Sequence, residues 1–363
     1  MKKNDGGSDL LNSPFIVPIF IMNRGCPNRC IFCNQRATAG NYPPKVTKDY
    51  FDATVRSSLA WNQTKSRHVE IAFYGGSFTG MDSAYQEELL SYAHAFIQKG
   101  LVHAIRVSTR PDYITEDKLL LLKKYDVGTV EIGAQSFVDD ILQSAQRGHR
   151  ADSIAQSILI LKKLGFRTGL HLMVGLPLET KEQFLYSIDQ TVKIRPDAVR
   201  IHPVIVFNDT ALAVEFREGR YIPLELSEAV ELCCLAWEKL SLAGIRIIRM
   251  GVHITPEMEK SGMVLAGPIH PAFGSLVLDS VFYDYTRRLL QKASDSVKEF
   301  RFQLSQKDIS NFRGQNNANT KAIKKLYPHT NLIVESNPGQ VRGEISLTID
   351  SKESFYLKIP GMH

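Results

Sequence analysis

Short apolar, β-branched runs at 18–21, 69–74, 104–108, 129–133, 168–174 and 199–206 alternate with longer stretches whose apolar residues recur every three or four positions. The runs predict six strands. The stretches at 49–61, 84–98, 116–125, 154–164 and 181–192 predict amphipathic helices between them. Thr180, followed three residues later by Gln183, supplies the last of these helices with a capping box. Strands alternating with helices imply a parallel sheet, either closed into a barrel or open and doubly wound. In both cases ligands gather at the C-terminal ends of the strands. The second to fifth runs end there in Gly75-Gly76-Ser77, Arg110-Pro111-Asp112, Gln135-Ser136 and Gly175-Leu176-Pro177.

Beyond residue 207 the pattern changes to a helix at 225–242, an apolar run at 245–250 and a Gly/Pro-rich loop at 267–271, read as an extension of the barrel. From about residue 287 the chain turns polar and basic and ends in alternating runs near 332–335 and 344–349. The expected organisation is a flexible start at 1–13, a barrel with its extension at 14–286, and a small α+β appendage at 287–363.

The chain has 363 residues, 44% apolar and 23% charged, which excludes a disordered, collagenous or disulfide-stapled protein. A net charge of +6 permits an anionic partner without requiring one. No apolar run reaches the roughly 20 residues of a membrane span, and the first residues lack the apolar core of a signal peptide. Five cysteines, odd in number, with three inside eight positions, point to metal chemistry in a reducing compartment, the cytoplasm.

Those three, Cys26, Cys30 and Cys33, are spaced Cys-x3-Cys-x2-Cys directly after the first predicted strand. Closed zinc sites and most iron–sulfur clusters use four protein ligands, so three thiolates leave one iron of a [4Fe–4S] cluster free. S-adenosylmethionine can chelate that iron through its amine and carboxylate, and the spacing therefore suggests radical chemistry. The alternatives are a zinc knuckle completed by a distant histidine such as His270, or three unrelated buried cysteines. Phe32 is expected to pack over the adenine end of the cofactor, or else to be a core aromatic.

On this loop, together with Phe73-Tyr74-Gly75-Gly76-Ser77, the chain resembles the radical SAM superfamily. The resemblance implies a partial (β/α)6 TIM-like barrel carrying a small C-terminal α+β extension. It also implies a backbone at Gly75, Gly76 and Ser77 that approaches the methionyl amine, as glycine allows. Ser108, Gln135, Arg147 and His171 match positions that enzymes related to the oxygen-independent coproporphyrinogen oxidases use around methionine and ribose. His171 stands where that branch commonly has an acid. The motifs Gly25-Cys26-Pro27-Asn28-Arg29-Cys30-Ile31-Phe32-Cys33-Asn34-Gln35, Ser108-Thr109-Arg110-Pro111-Asp112 and Gly133-Ala134-Gln135-Ser136 are similar to the radical SAM domain of the Elongator catalytic subunit over about residues 14–285. After residue 288 only about 75 residues remain, half of what an acetyltransferase domain needs, so acetyl transfer is not expected.

The implied activity is reductive cleavage of S-adenosylmethionine at a [4Fe–4S] cluster to a 5′-deoxyadenosyl radical, with a flavodoxin- or ferredoxin-type electron donor. The substrate is unassigned, and no residue is singled out as catalytic. A tRNA base modifier and a non-catalytic iron- or zinc-binding regulator are the alternatives; neither a membrane nor DNA is an expected partner. His202, Arg249, His253, His270 and Tyr283 are candidates for the substrate pocket. Lys307, Arg313, Lys321, Lys324 and Lys325 with Phe312 and Tyr327 make either an RNA-contacting face or a solvated one. Cys233-Cys234 reads as core, since buried cysteine behaves as a small hydrophobe.

Overall fold

The structure is a computed structural model that describes residues 14–27, 30–34, 43, 45–62, 68–252, 254–293 and 297–362. The expected flexible start at 1–13, together with Asn28, Arg29, Gln35 and His253, lies outside the described residues. Strands β1 (Phe15–Phe20), β2 (Val69–Tyr74), β3 (Ala104–Thr109), β4 (Val127–Gln135), β5 (Arg167–Val174) and β6 (Ala198–Pro203) pair in parallel in chain order. Helices α1 (Lys48–Trp61), α2 (Ser83–Gln98), α3 (Glu116–Lys124), α4 (Asp139–Ser144), α5 (Ala151–Lys163) and α6 (Lys181–Ile194) connect them. The capping box of Thr180 and Gln183 is present at the start of α6.

Two corrections concern the end of the sheet. The run at 199–206 is not one strand: β6 stops at Pro203, which offers no N–H to a ladder, and β7 (Val206–Phe207) pairs elsewhere, antiparallel with β9 (Val264–Ala266). The run at 245–250 is a seventh strand of the sheet, β8 (Arg246–Met250), parallel to β6. The result is a seven-stranded curled half-barrel, an α/β TIM-like fold. Between its last strands lie α7 (Ala211–Arg217) and α8 (Leu226–Leu242), and beyond β8 lie α9 (Pro256–Lys260) and α10 (Phe273–Leu290).

Residues after α10 form β10 (Glu299–Leu304), α11 (Ile309–Arg313), α12 (Ala318–Leu326), β11 (Asn331–Ser336), β12 (Glu344–Ile349) and β13 (Glu353–Lys358). Their sheet runs β11-β10-β12-β13. One hydrophobic core joins this sheet to the barrel, with Phe300, Phe302, Phe312 and Leu347 in the same cluster as Val277, Phe282 and Leu289 of α10. Strand alternation directs the odd-numbered apolar residues of β2, β3 and β5's even-numbered ones, such as Ile71, Phe73, Val107, Leu170 and Leu172, into that core. The opposite face of the same strands carries polar residues and is the interior of the half-barrel.

Candidate functional site

The loop after β1 is shaped by close contact between backbones. Met22, Asn23 and Gly25 have positive φ, and Gly75 follows at +84°. Ile21 N donates to Tyr74 O (2.8 Å), Asn23 N to Gly75 O (2.6 Å) and Ser77 N to Arg24 O (2.9 Å), so the two loops are stitched together. A Cβ on Gly25 would lie 2.1 Å from Ser77 O, one on Gly76 2.5 Å from Arg24 O, and one on Gly80 2.2 Å from Gly25 O. No side chain fits at these three positions.

On this support stand Cys26, exposed, Cys30, buried, and Cys33, half-buried, none of them in a disulfide. Cys33 N donates to Cys30 O (3.0 Å), closing a turn. Beyond the turn, Ile31 N donates to Ala145 O (3.3 Å), Leu212 N to Ile31 O (2.9 Å) and Asn34 Nδ2 to Asn208 O (2.8 Å). Ile31 sits in a satellite apolar cluster with Ile141, Met173, Leu176 and Val204, and Phe32 packs against it. The cysteine loop is thus anchored to the ends of β5 and β6 as well as to β2.

Arg147 ties the loop to β4. Its Nη1 donates to Cys30 Sγ (3.0 Å) and its Nη2 to Gly133 O (2.7 Å). Next to it β4 bulges at Gly133, and Gln135 takes a positive φ of 66°. A Cβ on Gly133 would come within 3.3 Å of Gln135 Nε2 and 3.4 Å of Arg147 Nη2, which brings these three residues together. Gln135 Oε1 and Arg147 Nε are buried without a hydrogen-bond partner. Desolvation, and secondarily Cys30, push the Cys26 thiol above its ordinary range, while Arg110 and Arg147 pull against them. Arg110 is itself buried and bonded to both carboxylate oxygens of Asp112 at 2.9 and 2.8 Å.

The other expected site residues are placed as follows. Ser77 is fully buried, with its hydroxyl 2.9 Å from that of Thr109 and accepting from Arg110 N (3.2 Å); this latches the β2 loop onto the end of β3. Ser108 is half-buried near the end of β3. His171 stands on the inner face of β5, edge-on to His202 of β6 with ring centroids 4.2 Å apart. A cavity of about 650 Å³ opens beside Pro27, between α4 and the turn at Gly148-His149-Arg150. His149 in its wall has an unpartnered, buried Nε2, and burial, followed by the charge of Arg147, lowers its pKa to about 4.

Several sequence candidates do not join this site. His270 Nδ1 accepts from Ala272 N (3.1 Å) and its Nε2 lies 3.3 Å from Gln315 Nε2, so it is no companion of the cysteines. Tyr283 packs against the main core. Cys233 and Cys234 are buried in that core on α8, their thiols raised by burial, Cys234 to about 12. Of the two readings of the basic segment, base stacking by its two aromatics is not favoured: Phe312 is buried, and Tyr327 meets Phe300 edge-on at 4.9 Å and donates to Leu290 O.

Sequence reasoning missed a buried charge network inside the half-barrel. Arg106 bonds Glu70 Oε2 (2.8 Å) and Glu131 Oε1 (2.5 Å), and Arg200 bonds Glu131 through Nε (3.0 Å) and Nη2 (3.1 Å). Tyr74 OH accepts from Arg200 Nη2 (2.9 Å), and Gly169 leaves room for Glu131, whose Cγ is 2.7 Å from where a Cβ would stand. The signal was present as charges at alternate positions inside otherwise apolar strands.

The fit of a cofactor rests on the donor set. Among the described residues His, Cys, Asp and Glu form no group of three or more at metal-ligand spacing. The donors nevertheless suit a cluster that leaves one corner to an outside ligand. They are three cysteines on one loop outside any disulfide, a guanidinium on Cys30, and two unpartnered buried polar atoms alongside.

Residues 20–190 match the Radical SAM superfamily and residues 196–281 the Radical_SAM C-terminal domain. The tRNA uridine(34) acetyltransferase of Methanocaldococcus jannaschii is 25% identical over 304 residues, covering 68% of this chain and 56% of the relative. Elongator complex protein 3 of Saccharomyces cerevisiae is 27% identical over 184 residues, 45% of this chain and 33% of that protein. The chain spans little more than half the length of the first of these relatives. The solved structure of Methanocaldococcus infernus Elp3 with an N-terminal deletion superposes with a TM-score of 0.57 at 20% identity, covering 77% of this chain and 64% of that one, a likeness of fold. Among the described residues no helix is long and apolar enough to cross a membrane. With the cysteine loop, its glycine support and both matching regions in place, the chain belongs to the radical SAM superfamily of enzymes.

Proposed function

We propose that this chain binds a [4Fe–4S] cluster through Cys26, Cys30 and Cys33 and binds S-adenosylmethionine beside it. The observation that carries the proposal is Arg147, which spans from Cys30 Sγ to Gly133 O and leaves its own Nε and Gln135 Oε1 unpartnered next to the thiol. When bound, the pair supplies one-electron reductive cleavage to a 5′-deoxyadenosyl radical, with the electron drawn from a flavodoxin- or ferredoxin-type donor.

The chain's own groups have distinct tasks. Arg147 fixes the direction of the Cys30 sulfur by donating a hydrogen bond to Sγ. Gln135 Oε1 and Arg147 Nε offer one acceptor and one donor to the methionyl end, where a carboxylate suits the donor and an amine the acceptor. Gly75 and Gly76 bring bare backbone to the same place, Ser77 holds that backbone to β3, and Ser108 and His171 lie farther along the inner face. Ile31, Phe32, Met173 and Leu176 close an apolar wall that keeps water from the reacting atoms.

The test is anaerobic reconstitution followed by iron and sulfide analysis, then dithionite, S-adenosylmethionine and mass spectrometry of 5′-deoxyadenosine. Wild type should hold four irons and four sulfides and release the nucleoside. Cys30→Ala should do neither, and cleavage retained by that variant overturns the ligand assignment. One zinc without sulfide would favour the regulatory alternative. A tRNA base as the target is the second reading, favoured by a relative named as a tRNA uridine(34) acetyltransferase. It requires RNA binding that weakens steeply with salt, and a flat response excludes it.

A further inference from the structure

The inner face of the half-barrel is electrically uneven. Its two carboxylates, Glu70 and Glu131, are committed to Arg106 and Arg200. Arg249 of β8 stands beside Arg200 in the strand register and has no ion pair among the described residues. Beside the network, His171, the register partner of Arg200, and His202, two residues beyond Arg200 on β6, meet edge-on, and the Nε2 atoms of both are out of solvent without a hydrogen-bond partner. Burial, reinforced by Arg200 and Arg249, keeps both rings neutral.

Buried polar atoms in folded proteins are ordinarily paired, and leaving one unpaired is costly. Two such atoms on rings in contact, with the exposed, ion-pair-free guanidinium of Arg249 on the neighbouring edge strand, leave donors for something else to use. The local field is positive, so the complement is an electron-rich oxygen rather than a cation, which excludes a metal ion held by the two imidazoles. A neutral imidazole can present Nε2–H, and two of these with a guanidinium supply converging donors around one small group.

We propose that His171, His202 and Arg249 form a subsite for an oxyanion of the substrate, a phosphate or a carboxylate, on the inner face of the half-barrel. The proposal deepens the enzymatic reading above, on which it rests for calling the bound molecule a substrate. The subsite itself is made of protein side chains and is tested without the cluster.

The full chain, metal-free and at neutral pH, is labelled with 13Cε1-histidine and titrated separately with inorganic phosphate and with acetate, Arg249→Met and His202→Leu serving as variants and His202→Gln, which keeps a donor, as the conservative control. At least one anion should saturate one site and shift two histidine resonances. Arg249→Met and His202→Leu should weaken that binding about tenfold or more, and His202→Gln less. Saturation by phosphate alone supports a phosphoester substrate, by acetate alone a carboxylate, and by both the shared oxyanion chemistry. No saturable shift with either anion, or shifts indifferent to Arg249→Met, overturns the subsite. Iron and sulfide loading measured on parallel samples keeps the two readings apart. Normal loading with no anion bound removes the subsite alone, and failed loading with anion bound removes the cofactor reading alone.

Discussion

Gly80→Ala is a one-carbon test of whether the cysteine loop is positioned by backbone contact. Gly80 ends the single 3-10 turn Phe78–Gly80 and does not need a positive φ, so alanine brings no conformational strain of its own. Its added Cβ would stand 2.2 Å from Gly25 O and 3.1 Å from Gly25 C, and both are backbone atoms that cannot swing away. Ordinary van der Waals contact begins at 3.4 Å, so the two loops must part by about 1 Å. Overpacking of this kind costs about 1–3 kcal/mol, which in a chain of 363 residues lowers the melting temperature by roughly 1–4 °C.

The displaced segment is Arg24-Gly25-Cys26, and the bond from Ser77 N to Arg24 O stretches with it. Disturbing the shell that orients a metal ligand typically costs about tenfold or more in metal affinity. The assay pairs thermal unfolding of the metal-free chain with iron per chain after anaerobic reconstitution. Gly219→Ala is the control: its Cβ would meet nothing within 4 Å, and φ of +72° charges only local strain, about 1 kcal/mol. Gly80→Ala should lose both stability and iron, and Gly219→Ala stability alone. Wild-type melting and iron in Gly80→Ala would refute the idea that the loop is held by this contact.

Two predictions concern pH. Burial raises the Glu179 carboxyl to about 8 although its Oε2 accepts from Gly175 N and Leu176 N, so stability falls as pH rises from about 4.5 to 8, by at most about 5 kcal/mol. Glu179→Gln should flatten that limb in urea titrations, and parallel curves for the two proteins would refute the assignment. His171, lowered to about 4 by burial and by Arg200, has the opposite sign: its contribution is complete above pH 6.5 and is lost as pH falls toward 4, about 3 kcal/mol in all. Its 13Cε1 resonance should stay at the neutral position down to about pH 4; a midpoint near 6.5 would show a solvated ring.

The strands and helices were legible because apolar periodicity is a local signal, and the cysteine spacing was legible because its members are neighbours in sequence. What the sequence did not disclose depends on strands far apart in the chain. The apolar run at 245–250 differs little from any extension segment until it is seen against β6, and the end of β6 at Pro203 shows only once the ladder is laid out. The same holds for the basic tail. Phe312 and Tyr327 looked interleaved with lysines along the chain, but Phe312 sits on the buried face of α11 and Tyr327, just past α12, packs edge-on against Phe300.

The deepest omission, the polar interior of the half-barrel, follows from the geometry of a sheet that curls without closing. A closed barrel of eight strands fills its interior with branched apolar side chains, whereas seven strands leave a lumen open toward the loops. Charges at Glu70, Arg106, Glu131 and Arg200 are tolerable inside such a lumen because each finds its counter-charge on the adjacent or next strand at 2.5–3.1 Å. Replacing one member would strand the others, so the network specifies strand order as much as it stabilises the fold. Beside it the pairing stops: among the described residues the Nε2 atoms of His171 and His202 have no hydrogen-bond partner and Arg249 has no ion pair, and it is on this change from a satisfied core that the proposed oxyanion subsite rests.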